Sequence, residues 1–494
     1  MKPYHLTLGQ RVALALYSLA WLLTTPLAMG YLAWRARRQP EYRLHWRERW
    51  AWWRRDEPET GTPTMGTRAI GAPTIGAPAI GTVAIDAGAD QVSSTRPDPG
   101  HLLWIHAVSV GETRAAQPLI EALLGRDPRL HILLTHMTPT GRATGEELFA
   151  RRWPQRVRQQ YLPYDHGWAI RRFLARWRPL LGVIMETELW PNVCAGAARA
   201  GVPLVLVNAR LSERSLRKGL RWHALIGPAL RSLAAVLAQT DADAARLRRL
   251  GRDEVPVLGN LKFDFSPSPQ GLALGAGWRA ALAGRPVVVL ASSRDGEEAA
   301  VLAAWRQLRR DDAGAPLLLV VPRHPQRFDE VAELVRSSGL GLRRRSGEWL
   351  DRSGVLDDSP VLLGDSMGEM AAYYALADVA IIGGSLLPFG AQNLIEACAI
   401  GVPVVVGQHT FNFEQAAAQA IEAGAACRVE DAAMAVERAL ALAMNDGERA
   451  AMATSARRFA AEHRGATQRT VAALAPWLPG DAQAGLSSAR TGHG

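Results

Sequence analysis

From His101 onward, short runs of β-branched and apolar residues alternate with stretches rich in Ala, Leu and Arg at helical spacing. That alternation constrains the fold more than any other property of the chain. Strands separated by helix-length segments pair in parallel, through crossovers that lay helices on both faces of a sheet. Runs at 102–108, 131–135, 181–185, 204–208 and 233–239 read as the strands of a first sheet. After Leu261-Lys262-Phe263-Asp264 the chain turns irregular, with Pro267, Pro269 and several glycines before Pro286. A second alternating set then passes through 287–291, 317–321, 379–382 and 403–406. The expected architecture is α/β: two Rossmann-like, doubly wound domains at 101–264 and 286–478, joined by a linker at 265–285 and facing each other across a substrate-holding cleft. A chain of 494 residues that is 48% hydrophobic can fill two such cores.

The N-terminal segment, 1–55, has a different character. Positions 12–34 are almost uninterrupted apolar sequence, softened by Ser18, Thr24 and Thr25, with Pro26 as a place for a kink. The run is long enough to cross a bilayer, and it can equally lie in the interface. Beyond it, Arg35, Arg37, Arg38, Arg43, Arg47, Arg49, Arg54 and Arg55 are interleaved with Trp46, Trp50, Trp52 and Trp53, against Lys2 and Arg11 on the other side. This asymmetry predicts a single membrane anchor with the body on the cytoplasmic side, and the Arg/Trp mixture reads as a headgroup-level surface. Residues 56–100 contain a tandem five-residue repeat, from Gly61-Thr62-Pro63-Thr64-Met65 to Gly81-Thr82-Val83-Ala84-Ile85, whose Gly and Pro density reads as an extended spacer. Residues 479–494 read as a disordered tail. The net charge of +10 calls for a polyanionic partner. There is no nucleic-acid motif, which leaves membrane lipids and a phosphorylated substrate. Cys194, Cys398 and Cys427 form neither a paired framework nor a CxxC spacing, which suits a reducing compartment.

Candidate chemistry gathers where strands end. His106-Ala107-Val108-Ser109-Val110-Gly111-Glu112-Thr113 carries a carboxylate from a strand into a helix start, so Glu112 is a candidate catalytic base; a helix N-terminal dipole is the alternative use. Glu186 and Glu188 follow the strand ending at Met185, and sequence alone does not choose between them. Lys262, at the expected hinge, can reach a charged sugar or a leaving phosphate, with a simply solvated lysine as the alternative. In the second half, 383–397 runs from a strand through a glycine-rich turn into a helix, where backbone N–H groups can face an anion. Within it Asn393 caps, and Glu396 is placed to accept from ribose hydroxyls. Arg323 sets a cation at another strand end, and Ser366 with Glu369 has the spacing of a capping box. No metal-ligand cluster is evident: Asp241-Ala242-Asp243 follows Gln239-Thr240 at a helix start, where capping is the expected job.

Taken in order, HAVSVGET, METELWPN, NARLSERS, GNLKFD, VPRHPQRF, GDSMGEM, the GGSL to NLIEA stretch and His409-Thr410-Phe411-Asn412-Phe413 resemble the bacterial 3-deoxy-D-manno-octulosonic acid (Kdo) transferases of lipopolysaccharide synthesis. The resemblance spans His101 to about Leu478. It implies an inverting GT-B glycosyltransferase without a cofactor, anchored in the bacterial inner membrane with its catalytic domains on the cytoplasmic side, moving Kdo from CMP-Kdo to a lipid A precursor, lipid IVA. It also implies Glu112 as proton acceptor, Glu186 and Lys262 as transition-state stabilisers, and CMP contacts from Pro322, Arg323, Met367, Gly368, Glu369, Asn393, Leu394, Ile395 and Glu396. Two departures stand out: Ala391 replaces a glycine usual in that family, and the pentapeptide spacer is an insertion. The alternatives are a GT-B enzyme using a nucleoside diphosphate sugar on another lipid or glycan, and a non-catalytic nucleotide-binding membrane scaffold.

Overall fold

The computed structural model describes residues 6–53, 101–264, 267–282, 284–308, 315–347 and 361–480. The pentapeptide repeat, Arg54, Arg55 and the tail from 481 lie outside them. The described residues fall into two compact units, one within Met1–Asn260 and Thr467–Gly494, the other within Leu261–Ala466.

The first unit is built on six parallel strands: β1 (Leu102–His106), β2 (His131–His136), β3 (Val157–Tyr161), β4 (Leu181–Met185), β5 (Leu204–Ala209) and β6 (Ala235–Ala238). Their order is β3-β2-β1-β4-β5-β6, all pairings parallel. The central strands β1, β4 and β5 are buried along their whole length, as continuous apolar runs require when helices cover both faces. Gly182 has no side chain because a Cβ there would come within 2.3 Å of Leu204 and 2.9 Å of Trp104. The chain winds from β1 to β3 in one direction and returns to β4 on the other side of β1. The loops after β1 and β4 therefore part, leaving a crevice at their carboxyl ends.

The second unit has seven strands, β7 (Val287–Ser293), β8 (Leu317–Pro322), β9 (Leu342–Arg344), β10 (Val361–Leu363), β11 (Val379–Ile382), β12 (Val404–Val406) and β13 (Ala426–Arg428). They are ordered β13-β12-β11-β7-β8-β10-β9, again all parallel. Here the winding reverses between β7 and β11, so the loops after those strands flank this domain's crevice.

The N-terminal segment folds as a helix, α1 (Leu8–Arg38), started by a Thr7/Gln10 capping box and continuous through Pro26. The segment after it corrects one expectation. Arg49 and Trp50 do not sit at a headgroup surface but are buried on the first domain. The Arg49 guanidinium lies 3.7 Å from the Tyr161 ring centroid and donates to the Met137 carbonyl at 3.1 Å, while Trp50 stacks on His166. Glu48 accepts from Arg142 at 2.5 Å and from the Tyr161 amide at 2.8 Å. An aromatic face and a backbone carbonyl thus receive an arginine that sequence alone assigns to lipid.

Candidate active site

In the first domain the two loops at the strand-order reversal carry Glu112 and Glu186. Glu112 sits in the first turn of the helix Val110–Ala115, whose N-cap Ser109 accepts from the Glu112 amide. The carboxylate folds back on the loop: Oε2 accepts from the Val108 amide at 2.8 Å and Oε1 from the Ser109 hydroxyl at 3.2 Å. The dipole-complementing use is therefore real, and it fixes the side chain's orientation. Burial, together with the charges of Glu186 and Glu188, raises the Glu112 carboxyl to about 7, against the lowering effect of those two hydrogen bonds. Neither His106 nor His136 offsets this. Burial holds His106 at about 3 and His136 at about 4, so both rings are neutral near pH 7.

The structure separates the two carboxylates that sequence leaves equivalent. Glu186 is 8% exposed and adopts a left-handed backbone, φ 58°. Its amide donates to the Val207 carbonyl at 3.0 Å, and Oε2 lies 3.4 Å from Arg210 Nε. A bulky side chain in that conformation is strained and is retained only where its surroundings hold it. Asn208, at the end of β5, is left-handed too, φ 55°. Glu188 is only partly covered, and burial is the main cause that raises its carboxyl. Asp241 and Asp243 serve the helix Asp241–Arg249: Thr240 caps it, and Asp243 accepts from the Leu211 amide at 2.9 Å and the Thr240 hydroxyl at 2.6 Å.

In the second domain, Lys262 lies on the short turn Leu261–Asp264, its ammonium 5.7 Å from the Phe413 ring centroid. Pro322 ends β8, and the Arg323 amide donates to Ser293 at the end of β7. Positive charge collects there. Burial first, then Arg294, Arg323 and Arg327, holds His324 below its usual range. Met367 is 51% exposed beside Gly368, which is left-handed. The expected capping box is absent, because the helix Met370–Leu376 begins later, with Glu369 as its N-cap. Ser366 instead bonds the Glu369 carboxylate, which Arg345 also holds through two contacts of 2.9 and 3.0 Å. Asn393 does not hold the N-cap position expected of it but lies one residue before it. Its Oδ1 accepts from the Ile395 amide at 3.0 Å, and its Nδ2 donates to Glu396 at 2.9 Å, with Leu394 as the N-cap position of the helix Ile395–Ile400.

The glycine-rich turn differs from the expected anion cradle. The amides of Gly384, Leu386 and Leu387 are taken by the buried Glu297 carboxylate at 2.6, 3.0 and 3.4 Å. Glu297 also accepts from the Arg294 amide at 2.9 Å. These N–H groups shape the loop and are not offered to a phosphate, so the positive charge at the strand ends falls to the arginines. Sequence reasoning passed over Glu297. The available signal was an acidic pair opening the helix that follows β7, at the strand-order reversal. Ala391 is buried and left-handed, φ 66°.

Residues 46–265 match the family model described as 3-Deoxy-D-manno-octulosonic-acid transferase (kdotransferase), and 344–459 match that of Glycosyl transferases group 1. A 3-deoxy-D-manno-octulosonic acid transferase of Bordetella pertussis is 50% identical over 379 residues, 76% of this chain and 87% of that protein. One from Haemophilus influenzae is 35% identical over 387 residues, 77% of this chain and 88% of that one. Among solved structures, Anabaena HepE in complex with UDP superposes with a TM-score of 0.50 at 14% identity, covering 76% of this chain and all (100%) of that one, a likeness of fold. With two parallel-sheet α/β domains of the GT-B fold class and relatives at this identity, the chain belongs to the Kdo transferases, the glycosyltransferases that add Kdo during lipopolysaccharide biosynthesis.

Proposed function

We propose that the protein moves Kdo from CMP-Kdo to a lipid A precursor, lipid IVA, at the cytoplasmic face of the bacterial inner membrane. The observation that carries this reading is the Glu112 carboxyl, held by two hydrogen bonds and raised to about 7. A base poised near the working pH is both ionised often enough and basic enough to take a proton. In the reaction Glu112 accepts the proton of an acceptor hydroxyl as that oxygen bonds to the anomeric carbon of Kdo. The bond from that carbon to the CMP phosphate oxygen breaks, CMP leaves with the electron pair, and configuration inverts. Glu186 and Lys262 stabilise charge in the transition state. Pro322, Arg323, Met367, Gly368, Glu369, Asn393, Leu394, Ile395 and Glu396 hold CMP, with Arg323 facing the phosphate and Glu396 the ribose. A single departing phosphate is within the reach of such cations.

The test incubates the full chain with CMP-Kdo and a tetraacylated lipid A precursor and weighs the lipid by mass spectrometry. Gain of Kdo mass by the wild type, and its loss in Glu112→Gln with CMP affinity preserved, is the expected result. Lipid of unchanged mass with wild-type enzyme, or transfer from a UDP-sugar in its place, overturns the reading.

A further inference from the structure

The apolar N-terminal helix makes contacts that a bilayer-crossing segment does not make. One stripe of α1, Ala13/Leu14, Tyr17/Ser18, Trp21, Thr25, Ala28, Leu32 and Arg35/Ala36, is partly or fully covered at successive turns. Within it a polar ladder docks on the first domain. The Tyr17 hydroxyl donates to Asp165 Oδ2 at 2.9 Å, and Ser18 Oγ, whose shorter bond of 2.8 Å goes to the Leu14 carbonyl, lies 3.2 Å from Asn192 Oδ1. Thr25 Oγ1 lies 3.1 Å from His166 Nε2, and Trp21 packs edge-on to His166 and tilted against Trp190. Asp165 is no loose partner, since it is buried and also accepts from the amides of Asn192 and Val193.

These contacts come from the middle of α1. A 31-residue helix is about 46 Å long, and one standing across a bilayer holds its middle in the hydrocarbon, about 15 Å from either surface. Tyr17 to Thr25 cannot be there while bonded to Asp165, His166 and Asn192 of a folded α/β domain.

The opposite face of α1 demands an apolar solvent all the same. Leu16, Leu19, Leu22, Leu23 and Leu27 are 50–76% exposed in an unbroken strip. A basic and aromatic rim runs beside it. Arg37 and Trp34 are exposed near the helix's C-terminus, and Trp222 is 64% exposed at the end of Glu213–Arg221, a helix carrying exposed Arg214, Arg217, Lys218 and Arg221. Trp222 leads into His223–Ser232, which packs beside α1. Leucines outward, hydroxyls toward the protein and cations at the rim suit an anionic lipid surface met side-on.

We infer that α1 is an in-plane anchor: it stays docked on the acceptor domain through its Tyr17–Thr25 ladder and buries its leucine face in one leaflet, without crossing the bilayer. This rests on the membrane-associated reading above and deepens it. The test attaches nitroxides to single cysteines at Gly9, Leu16, Leu23 and Gly30 in the full chain, with Cys427→Ser as background. The two glycines have open space for a Cβ, and the two leucines are 60% and 68% exposed. The protein is bound to vesicles of phosphatidylethanolamine and phosphatidylglycerol, and depth is read from collision with oxygen against a water-soluble nickel chelate. The sites are seven residues apart on one face and span about 31 Å of helix. An in-plane helix places all four within about 5 Å of one depth. A profile deepest at Leu16 and Leu23 and shallow at Gly9 and Gly30 overturns the inference while sparing membrane binding. Four water-exposed labels with no vesicle binding reject both.

Discussion

The carboxyl edges of the two sheets are built on opposite electrostatic plans. In the first domain Glu112, Glu186 and Glu188 stand close enough for the latter two to raise the carboxyl of Glu112, and the nearby histidines are neutral. In the second domain acidic side chains at the same edge are consumed. Asp365 pairs with Arg344, Glu369 with Arg345, Glu298 with Arg327, and Glu297 with loop amides. The same fold with the same strand-order reversal therefore gathers carboxylates at one edge and arginines at the other. On the function proposed above, the first edge supplies the proton acceptor and the second a guanidinium beside an anion.

Substitutions can break that contrast, and Glu112→Gln should do so most. It removes the base while keeping the Val108 contact, and turnover should fall by about 10²–10⁴-fold with CMP binding unchanged in calorimetry. Arg323→Ala strikes the other edge. Loss of a charge-assisted bond of about 1.5–3 kcal/mol should raise the KM for CMP-Kdo by about 10–150-fold, leaving the pH dependence of kcat in place. Glu297→Ala strands buried amides and should destabilise the second domain by about 1–3 kcal/mol, read by denaturant unfolding, with CMP affinity falling alongside. Ala391→Gly relieves a left-handed alanine and should stabilise the same domain by about 1 kcal/mol, the one change in the set expected to raise its melting temperature. Smallest is Glu188→Gln, which removes one repelling charge and should move the acid limb of the rate profile to lower pH by a fraction of a unit.

The interior strands were legible in the sequence because burial on both faces demands continuous apolar runs. β1, β4, β5, β7, β8 and β11 all carry one. Four strands lie outside the runs read above: β3, β9 and β13 are edges of the two sheets, with the partly polar sequences VRQQY, LRR and ACR, while β10 is an interior strand whose apolar run, VLL, is only three residues long. An edge strand is held by one neighbour and needs no apolar signature. At the first domain's site, the loop positions of Glu112 and Glu186 follow from strand ends, whereas the choice of Glu186 over Glu188 comes from the family resemblance and not from the residues themselves; the buried, left-handed setting of Glu186 is a difference that residue pattern alone does not encode. The loop role of Glu297 was hidden for a similar reason, since its partners lie nearly ninety positions onward and are joined to it by the fold. Arg49 and Trp50 misled because composition reports charge and aromaticity without reporting what covers them.

Ionisation of Glu112 near neutrality is the claim on which the rest depends. Because the folded protein holds at about 7 a carboxyl whose ordinary value is 4.5, ionising it costs stability as pH rises through that window, while activity, which needs the ionised form, should rise. The direct measurement is kcat/KM for transfer to the lipid acceptor from pH 5 to 9. A limb of unit slope with its midpoint near 7, shifted downward in Glu188→Gln and absent from the residual activity of Glu112→Gln, is the predicted result. A flat profile, or a limb that persists unchanged without Glu112, contradicts it.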